Sequence, residues 1–291
     1  MRRFPIVLIG CIAWSSAGAL QGQWPDADWQ VLDSKVRWAV SQRLDTLPLG
    51  ETIARLGVTF VGATYTPGTL EAPGPERLVI NLREFDCVTF VENLLAMARF
   101  IRRDGVGGLE DRRAAERKYA GYLQQLRYRS GHLDGYPSRL HYFSEWLADN
   151  AQRGRLELLT ERLGGVAHRE PISFMSTHPS AYRQMADPAV RQSIKSMEDR
   201  LNSGPSRWYI PEERIASVEG GIRNGDVIAA TSTVPGLDVA HTGIALWRGG
   251  RLHLLHAPLV GKFVEISEVP LADRILAIKT QNGIMAARPV E

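Results

Sequence analysis

Cysteine is nearly missing from this chain: 291 residues contain two, Cys11 and Cys87. Cys11 lies in an N-terminal segment with the marks of an export signal, so a processed chain keeps a single free thiol and a disulfide framework is excluded. Long hydrophobic runs are missing too. Beyond residue 19 no stretch approaches the ~20 apolar residues that cross a bilayer, so no stable membrane span is expected. An excess of one charge is also lacking. Lys+Arg number 35 against 32 Asp+Glu, a net charge of +3. Removal of residues 1–19 takes away Arg2 and Arg3 and no acid, which leaves +1. That balance excludes an electrostatic case for a nucleic-acid partner. There is no repeat, no low-complexity tract and no clear linker. The expected organisation is a segment over 1–19 followed by one domain over 20–291, with a helical insertion.

What is present begins with that segment. Arg2 and Arg3 precede an apolar run over 4–14, and Ala17-Gly18-Ala19 supplies a small-x-small cleavage pattern. This is the layout of a secretory signal peptide, and the alternative is a buried N-terminal strand. Leu8-Ile9-Gly10-Cys11 also resembles a lipobox, in which Cys11 would carry a lipid anchor. Either export route leads to the periplasm or another extracytoplasmic space.

Periodicity predicts helices over 29–44, 49–56, 86–103, 110–126, 140–150 and 181–201, with a Gly/Pro/Thr-rich loop over 63–77. Strand signals fall at 78–82 and then cluster late, at 226–231, 239–247, 251–256, 262–266 and 275–280. Helices first and strands last predict an α+β fold, with helices packed on one side of an antiparallel sheet.

Cys87 sits in Glu84-Phe85-Asp86-Cys87-Val88-Thr89-Phe90-Val91-Glu92. Asp86 is a good N-cap, which makes Cys87 the first helical residue. Cys87, Val91, Leu94, Ala98 and Ile101 share one helix face. Free N–H groups and the macrodipole at a helix start favour a thiolate and can hold an oxyanion. The competing account is a small core hydrophobe.

A thiol nucleophile needs an imidazole base and a group that orients it. Three of the seven histidines fall in one block, 241–257, where two apolar runs flank Gly249-Gly250. A two-residue hairpin turn pairs Arg248 with Arg251 and sets Gly243 opposite His256. His241 then shares a face with Gly243, diagonally beside His256, while His253 points to the other face. A three-residue turn would slip the register and bring His253 inward instead. Surface histidines are the bland alternative, and a zinc site of Cys87, His241 and His256 is a further one. His132, His168 and His178 read as solvated loop residues. His141, within Ser138-Arg139-Leu140-His141-Tyr142, either lines a substrate cleft or packs a helix.

Phe85-Asp86-Cys87 with Val88-Thr89-Phe90-Val91, His241-Thr242-Gly243-Ile244 and His256-Ala257 resemble the three motifs of NlpC/P60 papain-like cell-wall cysteine hydrolases. Gly68-Thr69-Leu70-Glu71, residues 134–143 and 172–179, and Tyr209-Ile210-Pro211 look like one branch of that superfamily, associated with N-acetylmuramoyl-L-alanine amidase activity. The resemblance implies a papain-like α+β fold and a Cys87-His241-His256 triad, with no metal and no cofactor. It implies an exported hydrolase of peptidoglycan or muropeptides. Tyr65 matches a tyrosine whose hydroxyl lies near the nucleophile, and Tyr65, Ser138, Arg139, His141 and Tyr142 become candidate substrate contacts. The same triad would serve a D-glutamyl-diaminopimelate endopeptidase, and a non-catalytic wall-binding protein is the reading from another class. Oligomeric state is left open.

Overall fold

The computed structural model describes residues 24–291. The 1–19 segment and the lipidation candidate Cys11 lie outside that range. The first half is helical: α1 (Asp26–Ser41), α2 (Leu49–Val58), α3 (Cys87–Arg103), α4 (Arg112–Arg127) and α5 (Phe143–Gln152), with two dipeptide strands, β1 (Thr64–Tyr65) and β2 (Glu84–Phe85), paired in parallel. Then come β3 (Leu156–Leu158), β4 (Val166–His168), α6 (Phe174–Thr177), α7 (Pro188–Ser203), β5 (Arg207–Pro211) and α8 (Ile215–Val218). The chain closes with β6 (Val227–Ser232), β7 (Val239–Arg248), β8 (Arg251–His256), β9 (Glu265–Ile266), α9 (Leu271–Ala277) and β10 (Gln281–Pro289).

The fold is α+β. One sheet runs in the order β4-β5-β10-β6-β7-β8-β9, with β3 on the far end of β10. Its ladders are antiparallel. Alternation along the strands divides the core. Val227, Ala229, Ile244, Leu255, Met285 and Ala287 face α1 to α5. Ile228, Ala230, Ala245, Leu254, Ile284 and Ala286 face a second layer built on Ile215 of α8 and on Leu271, Ala272 and Ile275 of α9. Helices therefore cover both faces, not one as the sequence suggests. Short α9 supplies the second cover where an apolar run reads as strand.

α3 is the axis of the helical layer. Every residue from Thr89 to Ile101 is buried, a helix enclosed on all sides. Its polar residues are matched. Glu92 bonds Arg127 at 2.7 Å and Trp146 at 3.2 Å, and Asn93 accepts from the Tyr119 hydroxyl at 2.8 Å. Removing one partner of the Glu92–Arg127 pair would strand a buried charge, at about 3–5 kcal/mol. α6 and α7 have a small core of their own around Tyr142, Met175, Met185, Ile194 and Met197.

Two strand expectations fail. Residues 78–82 stay extended outside a strand, because side chains satisfy their backbone: Arg127 donates to the Val79 carbonyl and Asp28 accepts from the Leu82 N–H. Residues 275–280 straddle the end of α9 instead of forming a strand. The strand that follows, β10, has no clear sequence signal, because Gly, Ala and Pro carry little strand propensity. It nonetheless lies between β5 and β6. At its bulge a Cβ on Gly283 would fall 2.2 Å from the Ile210 carbonyl oxygen, so the close approach requires glycine.

Candidate active site

α3 begins as its sequence predicts. The Asp86 carboxylate accepts from the Thr89 N–H at 2.7 Å, and the Asp86 N–H donates to Thr89 Oγ1 at 2.9 Å. This reciprocal box fixes where the helix starts and leaves Cys87 as its first residue. The Tyr65↔Phe85 pairing of β1 with β2 brings Tyr65 alongside. The Tyr65 N–H also bonds the Lys262 carbonyl at 2.7 Å. The loop between Tyr65 and Phe85 thus returns to its start, and the long spacing in sequence does not separate Tyr65 from Cys87. Burial raises the Tyr65 hydroxyl to about 12, with added repulsion from Cys87 and Asp86.

Cys87 stays partly open to solvent. The backbone of Thr242, of Val88 and of Cys87 itself acts on its thiol and favours the ionised form. The Thr242 contact puts the thiol against β7, next to His241 in sequence. Backbone dipoles alone would depress the thiol, as the helix start suggests. Here burial and the neighbouring Asp86 carboxylate outweigh them and push it up to about 12. The resting group is therefore a neutral thiol, a correction to the expectation of a preformed thiolate.

The β7–β8 hairpin has the expected register. Arg248 pairs with Arg251 and Leu246 with His253 across Gly249 and Gly250, whose φ values are 58° and 79°. Positive φ at both turn positions is what a tight hairpin of this twist requires. His241 Nε2 lies 2.7 Å from His256 Nδ1, with the rings at 79°. Gly243 makes room: a Cβ there would fall 2.9 Å from His256 Cβ and 2.8 Å from the Leu255 carbonyl oxygen. On the β6 side, Ala230 pairs with His241 and Thr231 with Val239, which leaves Ala240 as an extra residue. Such a bulge turns the side chain beside it. His253 faces away and bonds the Ser267 carbonyl at 2.8 Å.

Both inner imidazoles are held neutral. Burial lowers His241 to about 3, helped by Arg274. Burial, then His241, then Arg274 lower His256 to about 2. Sequence reasoning missed Glu265, whose Oε1 lies 3.5 Å from His256 Nε2, and Arg274. The pairing of β8 with the two-residue β9 is the feature that brings Glu265 there, and sequence periodicity is blind to so short a strand.

Besides Tyr65, the other four proposed substrate contacts use most of their polar atoms within the protein. Arg139 reaches Glu71 at 2.9 Å and Glu76 at 3.3 Å and stacks on Tyr136. Ser138 Oγ donates to the Gly135 carbonyl and accepts from the Asp134 N–H. The Tyr142 hydroxyl donates to Glu198 and accepts from the Met175 N–H, which ties the start of α5 to α7 and α6. His141 bonds the Tyr136 carbonyl through Nε2 at 2.9 Å. His168, expected in a solvated loop, is instead buried in β4 against the Tyr209 ring. Among the described residues, no group of three or more His, Cys, Asp or Glu is arranged to hold a metal ion. No helix among them is long and apolar enough to cross a membrane.

Residues 55–284 match the profile of the N-acetylmuramoyl-L-alanine amidase-like family. The chain belongs to that family of cell-wall amidases. It is 36% identical to an N-acetylmuramoyl-L-alanine amidase from Bacteroides uniformis ATCC 8492, over 84% of this chain and 99% of that one, at a TM-score of 0.77. A protein from Bacteroides fragilis described as a putative xylanase is 37% identical over 80% of this chain and 98% of its own, at a TM-score of 0.71. A Legionella pneumophila protein at 20% identity and a TM-score of 0.63 shares the fold, covering 91% of this chain and 97% of its own. No curated protein matches in sequence. The amidase family makes the chain an enzyme, a peptidoglycan hydrolase.

Proposed function

We propose that this amidase is an exported cysteine hydrolase of the NlpC/P60, papain-like kind, with Cys87 as nucleophile, His241 as base and His256 as the residue that orients His241. The reading rests on one observation: the backbone of Thr242 acts on the Cys87 thiol, the same strand carries His241, and His241 Nε2 lies 2.7 Å from His256 Nδ1. Since thiol and imidazole both rest neutral, proton transfer accompanies attack. The Cys87 S–H proton passes to His241 as sulfur bonds the carbonyl carbon. The Cys87 N–H and its neighbours at the helix start hold the oxyanion. The C–N bond then breaks as the His241 proton goes to the leaving amine, and a water deprotonated by His241 resolves the thioester.

The preferred bond joins the lactyl carbonyl of N-acetylmuramic acid to L-alanine, in line with the name of the Bacteroides uniformis relative. A xylanase would need two carboxylates flanking the scissile bond at about 5–9.5 Å, whereas a thiol and two imidazoles suit acyl transfer. Export through residues 1–19 to the periplasm, with or without a lipid on Cys11, belongs to the same proposal. The test is to incubate the enzyme with purified muropeptides and weigh the products. Free sugar plus a peptide beginning at L-alanine is the expected outcome. A shortened stem would reassign the enzyme as a D-glutamyl-diaminopimelate endopeptidase. Absence of turnover on every wall fragment would leave a wall-binding protein and end the catalytic reading.

A further inference from the structure

The His241–His256 contact constrains where protons sit. A neutral imidazole carries one N–H. His241 Nε2 and His256 Nδ1, 2.7 Å apart, share one hydrogen. If His256 owned it, His241 would carry its own proton on Nδ1 and could not accept one from a thiol. His241 must therefore donate from Nε2, which leaves Nδ1 bare as the base. His256 Nδ1 then accepts, so His256 carries its proton on Nε2. That N–H belongs to a ring with 0% exposure, and it has no hydrogen-bond partner. A buried donor without an acceptor is costly and rare.

An acceptor is close by. The β8–β9 ladder sets Glu265 directly across from His256, and Glu265 Oε1 lies 3.5 Å from His256 Nε2. That is slightly too long for a good bond, and the Glu265 side chain is 45% exposed, free to close the gap. Contacts of this kind often tighten only when substrate is bound. The surrounding charges fit. Arg274 of α9 acts on both imidazoles and on Glu265, and its Nη1 is buried without a partner. Glu268 is the other charged group acting on Glu265. Without the Glu265 carboxylate, Arg274 would oppose the positive charge that His241 gains in the transition state.

We propose that Glu265 is the outer positioning residue of the site: its carboxylate accepts the His256 Nε2–H and so holds both imidazoles in the tautomers that keep the base nitrogen of His241 free. The proposal rests on His241 acting as the base. Glu265 touches neither substrate nor thiol, so its loss acts on kcat through His241 and leaves KM alone.

The test pairs kinetics on muropeptides with nitrogen-15 NMR of the histidine rings, for wild type, Glu265→Ala and Glu265→Gln. Glu265→Ala should lower kcat about tenfold with KM within about twofold. This is far less than the ~10⁴ lost on disabling the tautomer-fixing carboxylate of a Ser-His-Asp triad, because Glu265 is partly solvated. The Gln variant keeps an acceptor oxygen and should recover most of the rate. In the spectra, wild-type His241 and His256 should both be Nε2–H tautomers, and Glu265→Ala should mix them. The NMR readout needs no turnover, so an inactive wild type would sink the amidase reading while the tautomers still test Glu265. The proposal is overturned if Glu265→Ala keeps wild-type kcat, if the Gln variant is no better than the Ala variant, or if the wild-type His256 proton sits on Nδ1.

Discussion

His253 and His256 stand three residues apart on one strand, yet they occupy different worlds. His256 has 0% exposure and meets His241 and Glu265, whereas His253 turns to the other face and commits Nδ1 to a backbone carbonyl. Residue type and local sequence are nearly the same. The difference comes from strand alternation anchored by a two-glycine turn. What makes a histidine chemically useful here is the face it occupies.

The largest way to break that contrast is to delete the proposed base. His241→Ala should lower kcat/KM on muropeptides about 10⁴–10⁶-fold, the scale on which members of a catalytic unit fail. His253→Gln should stay within about threefold, and a large loss there would mean the outer face matters. Next comes crowding of the inner face. Gly243→Ala places a Cβ 2.9 Å from His256 Cβ. It should displace that ring, cost about 1–3 kcal/mol in a denaturant titration, and lower kcat at least tenfold.

The smallest effect is on stability against pH. Ordinary histidine titrates near 6.5, while His241 and His256 are lowered to about 3 and 2. Below pH 6.5 the unfolded chain binds protons that the native rings refuse. Their contribution is thus complete above pH 6.5 and lost as pH falls, by about 1.4 kcal/mol per pH unit for each ring. Urea midpoints between pH 4 and 7 should show a shallower acid slope for His256→Asn than for wild type, and equal slopes would refute the buried neutral state. Cys87 works at the other end. Raised from 9.0 to about 12, it should cost stability above pH 9, where the unfolded thiol ionises.

The readable parts of the sequence were those settled within a few residues. Asp86 and Thr89 announce the start of α3, and Gly249-Gly250 announces the turn and its register. The α+β class and the late strand cluster were legible from periodicity. β10 was not, because its place between two neighbours, not its composition, makes it a strand. The thiol's acidity was misread because the helix start is visible in sequence whereas the burial that opposes it is not. The ties of Arg139 to Glu71 and Glu76 were not legible, because those partners lie more than sixty residues away.

The amino-acid order by itself determined one capped helix with a cysteine at its head and one tight hairpin with histidines on alternating faces. These follow from hydrogen bonds and dihedral preferences among near neighbours. Tertiary structure decided the rest: that α3 lies against β7, that both faces of the sheet are covered, that the thiol and two imidazoles rest uncharged, and that a carboxylate from β9 reaches the outer imidazole. Desolvation and cross-strand pairing depend on which distant segments exclude water from a group, and no local pattern encodes that.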